Sequence, residues 1–252
     1  MPRFAANLSL LFTEVPFIDR FKAARDAGFR FVEYQYPYEF AKHAVAEALS
    51  DSGLEVVLHN LPPQARAACD PARTADFRAG VALAIDYAGA AGCRQLNCLA
   101  GHVPDGVAHE TARATLISNL RHAAAELERA GIRLLIEPIN TRDVPGFYLN
   151  RTRQAIRLIE DVGSDNLFVQ YDAYHMQIME GDLARTIEEN LSKIAHIQVS
   201  DNPGRHEPGT GEINYPFLFD FLDRIGYPGY VGAEYKPAAG TLAGLGWVKR
   251  WL

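Results

Sequence analysis

The sequence predicts an α/β protein that folds as one closed (β/α)8 barrel of the TIM type. Three observations support this prediction. Short apolar runs alternate with segments of helical periodicity, the alternation repeats over the whole chain, and eight units fit within 252 residues. Strands buried on both faces and alternating with helices are typical of parallel βαβ units. Eight such units in about 250 residues have the size of a closed barrel.

The eight predicted strands follow one another at intervals of about 30 residues, the length of one βαβ unit. In chain order they are RFAANLSLLF, RFVEYQY, LEVVLHN, CRQLNCLA, IRLLIEP, NLFVQYD, IAHIQVSD and YVGAEYK. An open, doubly wound sheet is the alternative arrangement, but it would usually carry a glycine-rich phosphate turn after its first strand. No such turn follows NLSLLF, and no linker interrupts the chain. We therefore expect residues 1–252 to form a single domain.

The segments between the strands have the periodicity of amphipathic helices. The segment ETARATLISNLRHAAAELERAG carries apolar residues at intervals of three and four on one face, namely Leu116, Leu120, Ala123, Ala124 and Leu127. Glycines follow six of the helical segments, where a left-handed cap conformation ends a helix: Gly28, Gly53, Gly92, Gly131, Gly163 and Gly226. A predicted strand begins soon after each of these glycines, which supports the alternation.

Composition excludes several classes of protein. Hydrophobic residues make up 48% of the chain and charged residues 22%, and the formal net charge is −6. This charge offers no general basic field for nucleic acid, and no stretch approaches the roughly 18 apolar residues of a membrane span. The three cysteines, Cys69, Cys93 and Cys98, lack the spacing of a metal knuckle and are expected to be buried. An odd number of cysteines suits a reducing compartment, so we expect a cytoplasmic protein.

Three of the predicted strands end in a carboxylate: Glu137 in IRLLIEPIN, Asp172 in NLFVQYDAYH and Glu234 in YVGAEYKPAAG. A carboxylate is costly to bury without a partner. The C-terminal ends of barrel strands meet at the face that holds the active site, so we expect these three acids at one mouth. Either a divalent cation lies between them, or each acid pairs with a basic residue or caps a helix.

The seventh predicted strand adds polar side chains at the same level. His196 and Gln198 share one face of KIAHIQVSD, because side chains alternate along a strand. Three carboxylates together with the amide oxygen of Gln198 would make an oxygen-rich site. Such a site favours Mg²⁺ or Mn²⁺ over Zn²⁺.

Five segments carry a resemblance to a known family: FAANLSLLFTEVPF, IEPIN, YDAYHMQIMEGD, HIQVSDNPGRHEPGTGEINY and GAEYKPAAGT. The chain resembles the hydroxypyruvate isomerases, which belong to the xylose-isomerase-like TIM barrels and have 2-oxo-tetronate isomerases as close relatives. The similarity spans essentially the whole chain, with the segments in the expected order.

This resemblance implies a reaction and a set of site residues. Glu137, Asp172, Gln198 and Glu234 would be the metal ligands, and Glu137 and Glu234 would also donate and accept the proton. The related sugar 3-epimerases usually have histidine where this chain has Gln198, which favours the hydroxypyruvate isomerases. The implied reaction interconverts hydroxypyruvate and tartronate semialdehyde through an enediolate. Isomerisation of 2-oxo-tetronate, or of a related ketose or sugar acid, is the alternative.

A small anionic 2-oxo or hydroxy acid would need polar contacts at the mouth. Arg205 in NPGRHEPGTG could bind a carboxylate through two hydrogen bonds, although a solvated loop arginine is the alternative. His175, three residues after Asp172, could contact a substrate oxygen. His59 ends the third predicted strand and is expected to face the mouth. Lys236 could be a second contact for the anion or a surface charge.

Two other functions remain as alternatives. Metal-dependent endonucleases that act at abasic sites share this barrel, but they need a histidine-rich multi-zinc cluster and a basic face. A sugar-acid binding protein without activity should lack one of the two glutamates, and both are present. The C-terminal segment GLGWVKRWL forms an aromatic patch that is expected to pack on an end of the barrel or on a partner, so a homo-oligomer is possible.

Overall fold

The computed structural model describes residues 2–252 and has the predicted barrel architecture. Its eight strands are parallel, each pairs with the next along the chain, and the last pairs with the first to close the barrel. The predicted fold class is therefore confirmed, and the alternative of an open sheet is wrong. The strands are β1 (Arg3–Asn7), β2 (Phe31–Tyr34), β3 (Glu55–Asn60), β4 (Gln95–Cys98), β5 (Arg133–Ile136), β6 (Leu167–Asp172), β7 (Ile194–Val199) and β8 (Tyr230–Ala233).

Helices connect the strands around the outside of the barrel. They are α1 (Phe17–Asp26), α2 (Lys42–Ser52), α3 (Thr74–Ala91), α4 (His109–Arg129), α5 (Thr152–Val162), α6 (Ala173–Met179), α7 (Leu183–Glu189) and α8 (Tyr215–Arg224). The connection from β6 to β7 holds both α6 and α7. Short 3-10 turns at Ala243–Trp247 and Lys249–Trp251 follow β8.

The predicted apolar face of α4 is the face that packs on the barrel. All five residues assigned to it from their spacing are buried. Glycine ends the helices where it was expected: Gly92 and Gly163 cap α3 and α5 with φ angles of 72° and 66°. A residue with a Cβ is disfavoured in this left-handed conformation, whereas glycine adopts it without penalty. The chain can therefore turn directly from each helix into the next strand.

The interior of the barrel changes from apolar to polar towards the C-terminal ends of its strands. A small apolar cluster is formed by Ala5, Val57, Leu58, Leu135 and Ala195. A buried polar layer follows, and its members are Asn7, Glu33, Gln170, His196 and Gln198. This layer lies beneath the mouth and reaches it at Gln198, which pairs with Asp172 on the adjacent strand.

The C-terminal aromatic patch packs on its own chain. The rings of Trp247 and Trp251 lie with their centroids 5.3 and 5.1 Å from that of Phe4, and both also contact Phe219 of α8. Edge-on and tilted ring pairs at these distances add to the burial of apolar surface. The patch was expected to pack either on an end of the barrel or on a partner, and in the structure it packs on its own barrel.

The three cysteines are free and buried, as expected. Burial raises the pKa of the Cys93 and Cys98 thiols to about 12. Across residues 2–252, the helices are too short or too polar for any of them to cross a bilayer.

Candidate active site

The structure brings the three predicted carboxylates to one mouth. Glu137 directly follows β5, Asp172 is the last residue of β6, and Glu234 directly follows β8. Their relative exposures are 5%, 0% and 4%. The Nη2 atom of Arg205 lies 2.7 Å from Glu234 Oε2 and 3.6 Å from Asp172 Oδ2. The Nε2 atom of His175 lies 3.5 Å from Asp172 Oδ2 and 3.8 Å from Glu137 Oε1.

Glu137 is held by an amide on the neighbouring strand. Asn97 of β4 donates a hydrogen bond from Nδ2 to Glu137 Oε2 at 2.8 Å, and the same nitrogen lies 3.1 Å from Asn60 Oδ1. Burial raises the pKa of Glu137 well above its ordinary value, and the negative charges of Glu234 and Asp172 raise it further. The carboxyl group is therefore poised to bind a proton or a cation.

Asp172 caps α6 with one oxygen and leaves the other free. Its Oδ1 atom accepts a hydrogen bond from the backbone N–H of Tyr174 at 2.8 Å. Its Oδ2 atom is buried and forms no hydrogen bond within the described residues, although Arg205 Nη2 and His175 Nε2 lie 3.6 and 3.5 Å away. Burial raises the pKa of Asp172, while the charge of Arg205 opposes that rise. A buried carboxylate oxygen without a donor is costly, which is typical of a ligand-binding position.

Glu234 has three polar neighbours. Gln35, just after β2, donates to its Oε1 atom at 2.8 Å, and Asn7 of β1 reaches the same oxygen at 3.4 Å. Arg205 donates to its other oxygen. Burial raises the pKa of Glu234, and the positive charge of Arg205 counteracts this rise. Of the two glutamates, Glu234 is therefore the one that has a direct cationic partner.

Glu137, Asp172 and His175 form a group that could hold a metal ion. One possible ligand atom from each of these buried residues lies within 4.8 Å of the other two. His175 comes from α6, one turn after Asp172, which places both side chains on the same side of the helix start. Burial lowers the pKa of His175 to about 3, with a further contribution from Arg205, so its imidazole is neutral at pH 7.

Hydrogen bonds around Asn140 indicate which nitrogen of His175 carries the proton. Asn140 Oδ1 accepts from the backbone N–H of Asp143 at 2.8 Å, which fixes the orientation of the amide. Its Nδ2 atom donates to Asp143 Oδ2 at 3.1 Å and faces His175 Nδ1 at 2.7 Å. Because Nδ1 accepts this bond, the neutral ring carries its proton on Nε2. The Nε2–H group lies beside Asp172 and Glu137, so His175 can donate a hydrogen bond at the mouth. In this tautomer Nε2 has no lone pair for a metal ion, and the ligands must come from the carboxylates and other oxygen atoms.

Gln198 lies level with Asp172 on the adjacent strand, as the pairing of β6 with β7 shows. Its Oε1 atom accepts from Gln170 Nε2 at 2.6 Å, and its Nε2 atom donates to Glu33 Oε1 at 2.7 Å. A carbonyl oxygen has two lone pairs, so one acceptor position of Gln198 is still available.

Glu33 is the charged centre of the buried polar layer, and the sequence pattern did not identify it. It is fully buried, accepts from Asn7 at 2.8 Å as well as from Gln198, and lies 2.6 Å from His196 Nε2. Gln35 and Asn97, which contact the two glutamates of the mouth, were also not identified. One signal was present: Glu33 interrupts the apolar run RFVEYQY, and a polar residue there needs buried partners.

Arg205 and Lys236, two of the predicted substrate contacts, lie in different surroundings. Arg205 is in the loop after β7 and its guanidinium carbon lies 5.3 Å from the Tyr174 ring centroid. Lys236 interacts through its backbone, which donates to Arg205 O at 2.8 Å and accepts from His206 Nδ1 at 2.7 Å, while its side chain is exposed. The structure thus places Arg205 at the acid cluster and the Lys236 side chain in solvent.

His59 does not face the mouth, contrary to expectation. Its ring stacks on Tyr34 with centroids 5.8 Å apart, and its Nδ1 atom lies 3.2 Å from Tyr38 Oη. Tyr34 belongs to the core between the barrel and the helices. His59 is therefore on the outer side of β3, and the structure does not bring it to the acid cluster.

Comparison with known proteins agrees with this architecture. Residues 21–251 match the sequence pattern of the xylose isomerase-like TIM barrels. The chain belongs to this family. It is 50% identical over 254 residues to a hydroxypyruvate isomerase of Escherichia coli (strain K12), covering 98% of each chain. It is 46% identical over 258 residues to a 2-oxo-tetronate isomerase of Cupriavidus necator, covering 100% of this chain and 99% of the relative. The resemblance inferred from the sequence is thus confirmed.

Solved structures of other proteins share the fold closely. A crystal structure described as AP endonuclease, family 2, from Brucella melitensis superposes with a TM-score of 0.96 at 43% identity, covering 100% of this chain and 99% of that one. An L-ribulose 3-epimerase gives a TM-score of 0.79 at 24% identity, covering 100% of this chain and 87% of that one. At that identity the second likeness concerns the fold alone.

Proposed function

We propose that this protein is a metal-dependent isomerase that interconverts hydroxypyruvate and tartronate semialdehyde. The observation that carries the proposal is a pair of buried glutamates, Glu137 and Glu234, at one mouth with Arg205 and His175 beside them. The similarity to isomerases of hydroxypyruvate and of 2-oxo-tetronate supports the same reaction class. Isomerisation of the four-carbon acid is the second candidate, because both acids present adjacent carbonyl and hydroxyl groups.

The donor set at the mouth fits a divalent cation. A positive charge between the acids would give the buried Oδ2 atom of Asp172 a partner. It would also lower the raised pKa of Glu137. Glu137, Asp172, Glu234 and the amide oxygen of Gln198 would hold the ion, and oxygen donors favour Mg²⁺ or Mn²⁺. Such an ion supplies Lewis-acid stabilisation of the negative charge that develops on the substrate oxygens.

The two glutamates supply the proton transfer. Isomerisation removes a proton from C3 of hydroxypyruvate and returns one to C2. The hydroxyl group at C3 becomes a carbonyl and the carbonyl at C2 becomes a hydroxyl group, so a proton also passes from the C3 oxygen to the C2 oxygen. One carboxylate must accept the first proton and a carboxylic acid must donate the second. Glu137 and Glu234 come from strands three positions apart in a closed barrel of eight, so they can approach the substrate from different sides. We propose these two residues as the acid and base of the enediolate mechanism.

His175 and Arg205 bind the substrate in this proposal. The Nε2–H group of neutral His175 can donate to a substrate oxygen and thereby stabilise the negative charge of the enediolate. The charge of Arg205 opposes the rise in the pKa of Glu234 and so favours its ionised form. The buried Nε atom of Arg205 has no partner among residues 2–252, so it is available to the substrate. The side chain of Lys236 can contribute only a more distant, solvent-screened attraction for the anion.

An endonuclease that acts at abasic sites is less well supported. One related structure is described as an AP endonuclease. However, the group of possible metal ligands found within residues 2–252 contains a single histidine, whereas a multi-zinc site needs several. The net charge of −6 also gives no general attraction for a phosphate backbone. A binding protein without activity is disfavoured because both glutamates of the acid pair are present.

Steady-state assays with metal-stripped protein test the proposal. Hydroxypyruvate and 2-oxo-tetronate should each be offered with and without Mg²⁺ or Mn²⁺, and cleavage of a duplex with an abasic site should be measured in parallel. We expect metal-dependent isomerisation, faster with hydroxypyruvate, and no cleavage. Faster turnover of the four-carbon acid would change the substrate but keep the reaction. Cleavage without isomerisation of either acid would refute the proposal.

A further inference from the structure

Arg66 is a second arginine near the mouth, and the acid cluster does not use it. It follows a short 3-10 turn (Pro63–Ala65) after β3, and its side chain is exposed. Its guanidinium carbon lies 5.7 Å from the ring centroid of Tyr36, within the range of a cation–π contact. Among residues 2–252 it has no carboxylate within ion-pair distance, whereas Arg205 pairs with Glu234 and Asp172.

The Tyr36 side chain connects Arg66 to one of the two glutamates. The side chain of Asn60 lies close enough to the Tyr36 hydroxyl group to lower its pKa. Asn60 Oδ1 accepts from Asn97 Nδ2 at 3.1 Å, and the same nitrogen donates to Glu137 at 2.8 Å. Two side chains, Asn60 and Asn97, therefore lie between Tyr36 and Glu137.

The residue before Tyr36 contacts the other glutamate through its side chain. Gln35 immediately precedes it and donates to Glu234 Oε1 at 2.8 Å. Burial is the main cause of the raised pKa of Tyr36; the charges of Glu137 and Glu234 raise it further, while Arg66 opposes them. Tyr36 and Arg66 thus follow the C-terminal ends of the neighbouring strands β2 and β3, whereas Arg205 lies in the loop after β7.

We propose that Arg66, supported by the ring of Tyr36, binds the carboxylate of the substrate and selects acids over neutral hydroxyketones. This inference rests on the proposed function. An anion that enters a mouth with three carboxylates is repelled, and an unpaired guanidinium offers it a bidentate contact. Binding at Arg66 leaves the pair of Arg205 and Glu234 intact and directs the other end of the substrate towards the glutamates.

Binding and kinetics of Arg66→Met test this role. Glycerate, a reduced acid that cannot isomerise in this way, serves as the binding probe for Mn²⁺-loaded protein in calorimetry, and glycerol serves as its neutral counterpart. We expect the dissociation constant of glycerate and the KM of hydroxypyruvate to rise about 10- to 100-fold, with kcat within about threefold of wild type. Arg66→Lys should recover part of the affinity because it keeps the charge.

Matched variants separate this role from a general effect of surface charge. Arg30 also lies over an aromatic ring, 5.9 Å from the centroid of Phe31, just before β2. Arg30→Met should leave both constants unchanged. Tyr36→Ala should resemble Arg66→Met, because it removes the ring that supports the guanidinium group.

The possible results distinguish the two proposals. If wild type isomerises the acid but Arg66→Met leaves the glycerate affinity and the KM unchanged, the role of Arg66 is refuted and the proposed function stands. An equal loss in Arg30→Met would also refute it, because the effect would then be one of net charge. If wild type neither converts an acid with any metal nor binds glycerate, the proposed function fails and the role of Arg66 fails with it.

Discussion

His59 allows a quantitative test of its position outside the mouth. Its imidazole is completely buried against Tyr34 and Tyr38, and burial lowers its pKa from 6.5 to about 4. The unfolded chain takes up a proton below pH 6.5, while the folded protein does so only near pH 4. Stability from this residue is therefore fully present above pH 6.5, is lost as the pH falls towards 4, and then levels off.

The expected loss follows from the size of this pKa difference. Each pKa unit corresponds to about 1.4 kcal/mol, so the free energy of unfolding should fall by about 2 kcal/mol between pH 8 and pH 5 because of His59. His59→Gln has no titrating ring, so its decrease over this interval should be smaller by about that amount. His175 is present in both proteins, so its contribution cancels in the comparison.

Urea unfolding followed by circular dichroism at the two pH values measures this difference. An equal pH dependence in wild type and His59→Gln would refute the assignment of His59 as a buried neutral residue. The same variant should keep kcat/KM for hydroxypyruvate within about threefold of wild type, because the residue contacts no group at the mouth. A loss of about a hundredfold in a folded variant would instead show that His59 acts in the reaction.

Three further predictions concern the mouth and the layer beneath it. Glu137→Gln should lower kcat about 100-fold or more while metal content, measured by mass spectrometry, is retained; activity close to wild type would exclude it as acid or base. Asp172→Asn should weaken Mn²⁺ binding in calorimetry by about tenfold or more, since a ligand charge is lost, and unchanged affinity would exclude it as a ligand. In Gly232→Ala the new Cβ would overlap the carboxylate of Glu33, so urea unfolding should show a loss of about 1–3 kcal/mol. Gly89→Ala in α3 meets no atom within 4 Å and should not destabilise; equal losses in both variants would contradict the reasoning.

The sequence predicted the fold because the alternation of strands and helices is a local signal. Each unit carries its own apolar strand and helical face, and six of the helical segments have a terminating glycine, as α3 with Gly92 illustrates. The same regularity placed Glu137, Asp172 and Glu234 together, since the C-terminal ends of parallel strands in a barrel meet at one face whatever their detailed packing.

The error at His59 has a specific structural cause. Strict alternation along β3 places residues 55, 57 and 59 on the inner face. However, the pairing of β2 with β3 shifts by one residue between Val32 and Glu33, and Val57 and Leu58 both belong to the interior cluster. Such a bulge reverses the alternation beyond it, so His59 turns outward. A change of one residue in register leaves no trace in a hydrophobic pattern.

The partners of the site residues were also beyond the reach of sequence patterns. Gln35 contacts Glu234 and Glu33 contacts His196 across 199 and 163 positions of the chain, respectively. A pattern of polar and apolar residues indicates which face a side chain occupies, but not which other side chain it meets across the barrel. The tautomer of His175, set by Asn140, depends on the same kind of long-range geometry.

Proton NMR of the reaction in D₂O tests the central claim most directly. Metal-stripped protein should be mixed with hydroxypyruvate, with and without Mg²⁺ or Mn²⁺. If Glu137 and Glu234 transfer protons at a metal-dependent site, conversion should occur only with added metal, and deuterium should appear on carbon in the substrate or product. The absence of both conversion and carbon-bound exchange with any metal, or full activity in the stripped protein, would contradict the account.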